Sequence, residues 1–365
     1  MLSRDHGGNL YQASKDYNIP MENWLDLSTG INPVSYPVAN LPQSVFEQLP
    51  YSSSQFEAAV GTYYGVSDFV AGNGSQQFIQ LLPKILPRLP VLLPDWGYQE
   101  HHFHWQRNQN PVRFYPAIDP AVAVVTIENQ LATEPPCHLL IVNPNNPSGL
   151  VFKPEQLRHW AGMLAEKKTD GSAVLIVDEA FVDCDPELSL LNDSLPPNVI
   201  VLRSFGKFFG LAGLRLGFAF AQQHWLNPIR DAVGLWNING PAMVVATRAL
   251  FDESWQKVTR DQLRHNLPQW QCLFDPMLQK LEPHFQVHLP LFSSYGLSTK
   301  QGCWLQHQFA RVGILLRVIE NDRRSLVRFG RFDLTKKDDL ERVQLAIHSC
   351  LQEMDSIDYP YDAAD

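Results

Sequence analysis

Cysteine is scarce in these 365 residues: Cys137, Cys184, Cys272, Cys303 and Cys350 are widely spaced, odd in number and contain no C-x-x-C pair. That spacing excludes a disulfide framework and a zinc site. Long apolar runs are missing too, and none approaches the roughly 20 residues that span a bilayer. The start, Met1-Leu2-Ser3-Arg4-Asp5-His6, lacks the apolar core of a signal peptide. A reduced, soluble, cytoplasmic protein is expected. Positive charge is in deficit, 29 Lys plus Arg against 38 Asp plus Glu, and the net charge of −9 argues against affinity for nucleic acid. His101, His102 and His104 are not followed by further clustered ligands, so they suit a partly exposed helix rather than a metal site. No internal repeat is seen.

What is present is a large apolar fraction, 45% against 18% charged, enough to bury an extensive core in more than one domain. Three continuous apolar runs stand out: Leu139-Leu140-Ile141-Val142, Ala173-Val174-Leu175-Ile176-Val177 and Val199-Ile200-Val201-Leu202. Such runs suit strands buried on both faces of a parallel sheet, where ligands bind at the carboxyl ends of the strands. The runs end in Asn143-Pro144-Asn145-Asn146, in Asp178-Glu179-Ala180-Phe181 and in Ser204-Phe205-Gly206-Lys207-Phe208-Phe209-Gly210. Asn146, Asp178, Ser204 and Lys207 should therefore meet. An isolated lysine is ordinarily a solvated surface charge. Phenylalanines flank Lys207, and desolvation disfavours an ammonium and makes the amine a nucleophile toward carbonyls.

These motifs, in this order, resemble the fold-type I pyridoxal-phosphate enzymes of the aspartate aminotransferase superfamily. The resemblance implies that Lys207 is the Schiff-base lysine, that Asp178 pairs with the pyridine nitrogen, and that Asn146 meets the ring hydroxyl. It implies that Ser204, Arg215 and the segment Gly74-Ser75-Gln76 hold the phosphate. A helix start favours an anion through its N–H groups and dipole, and arginine through its planar charged fork. Trp96, after the strand Val91-Leu92-Leu93, matches the aromatic residue that stacks on the ring, although a tryptophan taken alone reads as core. Phe181 stands where many aminotransferases of this superfamily carry a tyrosine. A Gly72-x-Gly74 turn with Asp95 downstream mimics a dinucleotide fingerprint, but Gln77 replaces the third glycine.

The terminal regions narrow the resemblance. His6-Gly7-Gly8-Asn9, Gly30-Ile31-Asn32-Pro33 and Trp236-Asn237-Ile238-Asn239-Gly240-Pro241 are similar to the threonine-phosphate decarboxylases of cobalamin biosynthesis, with histidinol-phosphate aminotransferases as near relatives and the alternative activity. By that resemblance the substrate is a small phosphorylated amino acid, contacted by His6, Asn9, Asn32, Arg317, Arg328 and Arg331, and the protein is a homodimer. Tyr51 loosely matches a tyrosine donated across the dimer interface. A non-catalytic pyridoxal-phosphate protein is a further alternative, opposed by the intact Lys207, Asp178 and Arg215.

Four regions are expected. Residues 1–32 are an arm joining the small domain, 33–240 a large cofactor domain with helices on both faces of a mainly parallel sheet, 241–352 a connecting helix and a smaller α+β domain, and 353–365 an acidic tail. Strands of the small domain are expected at Phe285–Leu289, Gly302–Leu305 and Ser325–Phe329.

Overall fold

The computed structural model describes residues 6–167, 173–321 and 323–355. Its contacts divide the chain into two units, Ser35–Arg260 and, around it in sequence, Met1–Val34 with Asp261–Asp365. The second unit begins with α1 (Leu10–Tyr17) and β1 (Leu25–Asp26).

The Ser35–Arg260 unit contains α2 (Ser44–Glu47), α3 (Ser54–Tyr64), β2 (Phe69–Asn73), α4 (Ser75–Ile85), β3 (Val91–Pro94), α5 (Gln99–Arg107) and β4 (Val112–Tyr115). There follow α6 (Pro120–Thr133), β5 (His138–Val142), α7 (Pro154–Glu166), β6 (Leu175–Asp178), β7 (Val199–Ser204), β8 (Leu216–Phe220), α8 (Gln223–Val233) and α9 (Gly240–Phe251). Seven strands form one sheet in the order β2-β8-β7-β6-β5-β3-β4. β8 runs antiparallel to both its neighbours, and every other pairing is parallel. The apolar runs read from the sequence become β5, β6 and β7, buried on both faces as a sheet covered by helices requires. Phe78, Ile79 and Leu82 of α4 pack into a core with Leu93, Leu140, Ile176 and Ile200.

The expected domain boundary at 240 moves to Arg260. α9 packs on α2 and α3, so the chain leaves this unit one helix later than composition suggests. The long helix α10 (Glu253–Gln279) spans the division.

The other unit continues with β9 (Phe285–Leu289), β10 (Phe292–Ser298), α11 (Thr299–Ala310), β11 (Ile314–Leu315), β12 (Arg317–Asn321), β13 (Arg324–Gly330) and α12 (Lys337–Met354). An antiparallel sheet, β12-β13-β10-β9, is joined by the parallel pair β1-β11, which ties the N-terminal arm into this unit. The strand expected at Gly302–Leu305 is instead part of α11. Ser298 and Gln301 form a reciprocal capping box there, which satisfies the first N–H groups and starts a helix whose Trp304, Leu305 and Phe309 face inward. The expected acidic tail lies outside the described residues from 356 onward. Among the described residues no helix is long and apolar enough to cross a membrane, and no cluster of His, Cys, Asp and Glu could hold a metal.

Candidate active site

Parallel strands present their carboxyl ends on one edge, and the expected residues follow from that topology. Asp178 closes β6, Ser204 closes β7, Asn146 follows β5 and Trp96 follows β3. Lys207 lies in the turn after β7, half-buried among the fully buried Phe205, Phe208 and Phe209. Its Nζ stands 5.5 Å from the centroid of the Phe181 ring. The phenylalanine that replaces the family's tyrosine thus offers Lys207 an aromatic face rather than a hydroxyl.

Asp178 is 3% exposed, and a buried carboxylate needs partners. Oδ1 accepts from the Ala180 N–H at 3.1 Å, and Oδ2 lies 2.9 Å from His101 Nε2. His101 is likewise 3% exposed. The histidine run lies on the partly exposed helix expected of it, and α5 turns Glu100, His101 and Trp105 inward. No motif announced His101.

The end expected to hold a phosphate is built largely from backbone. Gly74 caps α4 at φ +72°, a conformation that disfavours side chains, and a Cβ there would lie 2.6 Å from Arg215 Nη2. A Cβ at Gly217 would strike the Ser75 N–H. Arg215 itself has φ +55°, and its Nη1 donates to the Ala212 carbonyl at 3.1 Å. The side chain of Gln76 is held by Glu100, which accepts from its Nε2, and by the Tyr98 hydroxyl, which donates to Oε1 at 3.3 Å. Glu100 also meets His104 Nε2 at 3.1 Å. Trp96 is buried, its N–H donating to Asp95 Oδ1 at 2.7 Å and its carbonyl accepting from Asn145 Nδ2 at 2.5 Å. Burial raises the Asp95 pKa.

These residues fit pyridoxal phosphate. The side-chain-free cradle at a helix start, with an exposed arginine over it, suits a phosphate monoester. Asp178 suits a protonated ring nitrogen.

In the other unit the expected substrate residues separate into two groups. Arg317 and Arg328 are direct register partners on β12 and β13. That register sets the two cationic side chains side by side on one face of the sheet. Arg328 is buried, donates from Nη2 to the Ser28 carbonyl and lies 5.6 Å from the Phe292 ring centroid. Arg331 does not join them. It projects to the opposite face of β13, where its guanidinium donates to the Leu289 and Pro290 carbonyls and to Ser293 Oγ and stacks over Trp270 at 4.8 Å. Burial pulls its pKa down to about 9. His6 is exposed at the start of the described arm, which the Gly8 N–H anchors to Ser28 Oγ at 2.7 Å. Asn9 caps α1, its Oδ1 accepting from the Gln12 N–H, and buried Asn32 accepts from the Val34 N–H at 3.0 Å.

A mainly parallel sheet with a lysine, an aspartate and a glycine-capped helix start on its carboxyl edge defines a class, and the chain belongs to it: the aminotransferase class I and II family, whose model matches residues 16–292. Within that class it is 36% identical over 337 residues to the threonine-phosphate decarboxylase of Pseudomonas aeruginosa, covering 85% of this chain and 97% of the relative. Among solved structures, the histidinol-phosphate aminotransferase of Clostridium acetobutylicum superposes with a TM-score of 0.71 at 22% identity, covering 88% of this chain and 99% of that one. The L-threonine-O-3-phosphate decarboxylase of Porphyromonas gingivalis gives 0.70 at 14% identity, with 89% and 99% covered. At these identities the two structures establish the fold.

Proposed function

We propose that this chain is a homodimeric, pyridoxal-phosphate-dependent threonine-phosphate decarboxylase, which converts L-threonine O-3-phosphate into (R)-1-amino-2-propanol O-2-phosphate for cobalamin biosynthesis. The observation that carries the reading is the buried Asp178 with Lys207 and the Gly74–Arg215 cradle on neighbouring strand ends, in a chain 36% identical to such a decarboxylase over nearly that relative's full length.

When bound, the cofactor supplies an aldehyde for amines and an electron sink for the pair released as carbon dioxide leaves. Gly74, Ser75, Gln76, Ser204 and Arg215 hold its phosphate, Asp178 its ring nitrogen, Asn146 its ring hydroxyl and Trp96 its flat face. Lys207 Nζ carries the proton delivered to the substrate's α-carbon once the carboxylate is gone. Arg317 and Arg328 recognise the substrate's anionic groups, with His6 and Asn9 of the arm and Asn32 as further contacts. Arg331 is left out of this set, because its guanidinium braces the β9–β10 turn. An arginine that gripped the departing carboxylate equally before and during the reaction would add only ground-state binding. The firmer grip therefore belongs on the substrate phosphate.

The test is incubation of cofactor-loaded protein with L-threonine O-3-phosphate and no keto acid, followed by mass spectrometry. Multiple turnovers to aminopropanol phosphate are expected, and K207A is expected to lose turnover by about a thousandfold or more together with the visible absorbance of the bound cofactor. Activity confined to histidinol phosphate with an amino acceptor would overturn the decarboxylase assignment.

A further inference from the structure

Residues adjacent to Asp178 and Ser204 in the chain build a second polar cluster. Because β6 and β7 are parallel and in register at Asp178↔Leu202, Asp178 and Ser204 point to one face of the sheet while Glu179 and Arg203 point to the other. On that opposite face Arg203 Nη1 donates to Glu179 Oε2 at 2.9 Å and to Ser189 Oγ at 3.1 Å, and Nη2 donates to Asp183 Oδ1. Glu179 accepts further from Ser189 Oγ at 2.7 Å and from the Leu190 N–H at 2.8 Å, while the Tyr63 hydroxyl donates to Asp183 Oδ1 at 3.1 Å. Arg203, Glu179 and Asp183 are each at most 3% exposed.

An arginine buried among two carboxylates contributes little net stability, since the desolvation of three charges offsets their attraction. What such a cluster supplies is geometry, because it allows only one arrangement in which every charge is paired. Asp183 Oδ2, Arg203 Nε and the Tyr64 hydroxyl have no hydrogen-bond partner among the described residues. All three residues line a polar cavity of about 240 Å³, with room for several waters at about 30 Å³ each.

We propose that Arg203, Glu179 and Asp183 are positioning residues for the cofactor site: they fix the backbone at 178–179 and 203–204, and so the aim of Asp178 and Ser204 on the other face. This rests on the cofactor reading of Lys207 and Asp178. R203K replaces the fork with a single point donor, while D183N keeps an acceptor and removes one charge. For each variant and the wild type, the apparent Kd for pyridoxal phosphate, the pH midpoint of the bound cofactor's absorbance, and Tm with and without cofactor are measured.

R203K is expected to raise the Kd at least about tenfold, equivalent to about 1.4 kcal/mol, to shift the pH midpoint and to shrink the Tm increment on cofactor addition. D183N should move all three in the same direction by less, and it carries the test if R203K does not fold. Wild-type values of Kd and pH midpoint in folded variants whose Tm falls equally with and without cofactor would overturn the positioning role alone. A wild type that does not bind the cofactor would overturn the underlying reading and this inference with it.

Discussion

Asp178 is useful only if its buried carboxylate is held and aimed. The Ala180 N–H on Oδ1 and His101 on Oδ2 hold the carboxylate in one orientation. The 2.9 Å pairing places a proton between His101 Nε2 and Asp178 Oδ2. H101F preserves most of the ring volume and removes the donor. A hydrogen bond to a charged group is worth about 1.5–3 kcal/mol, so kcat/KM should fall about ten- to a hundredfold while the circular dichroism spectrum stays that of the wild type. Values within twofold of wild type would show that Asp178 needs no such partner. His101 was not legible in the sequence, because Gln99, Glu100, His101, His102 and His104 together have the composition of a surface helix. What buries this stretch is a carboxylate 77 residues further along the chain, and no local pattern encodes such a contact.

Among the elements, β5 and β6 depend on one imidazole. His138, fully buried at the start of β5, accepts from the Val174 N–H through Nδ1 at 3.2 Å and meets the Pro87 carbonyl through Nε2 at 2.9 Å. The neutral ring satisfies both contacts, and a proton on Nδ1 would break the first. Burial accordingly pulls its pKa down to about 4. Between pH 6.5 and 4 the unfolded chain binds this proton and the folded chain does not, so stability falls as pH falls through that window, by up to roughly 3 kcal/mol below it. H138N should be less stable at pH 7 yet show a flatter loss of stability from pH 6.5 to 4 in denaturant titrations. An unchanged slope would remove His138 from the acid response. The strands themselves were readable, because the continuous apolar runs within β5, β6 and β7 suit strands covered on both faces and end in turn residues. Gly302–Leu305 was not, because a short apolar run fits helix and strand alike. The capping pair Ser298 and Gln301 decided it.

For the whole molecule, the Ser35–Arg260 unit carries apolar surface that a solitary subunit leaves in water. Leu235 is 78% exposed and Tyr51 70%, with Phe46, Leu49 and Trp236 also exposed. Tyr51 and Trp236 meet edge-on at 6.2 Å, and Trp236 holds a left-handed φ of +54°. Such strain in a bulky residue costs about 1–3 kcal/mol and persists where it serves a purpose. Beside the pair runs a groove of about 440 Å³ lined by Leu49, Pro50, Tyr51, Met243, Val244 and Arg248. Ser44, Gln48, Ser53, Gln55 and Thr247 line the same groove, and exposed apolar groups rimmed by polar ones suit an interface, for which the proposed homodimer offers a second copy of the chain. A carboxylate in place of the exposed Leu235 side chain would have to be desolvated if the proposed interface covers it. L235D should therefore shift sedimentation from dimer toward monomer at micromolar concentration, leaving the circular dichroism spectrum of the subunit unchanged. A wild-type protein that sediments as a monomer at that concentration would assign the patch to something other than self-association.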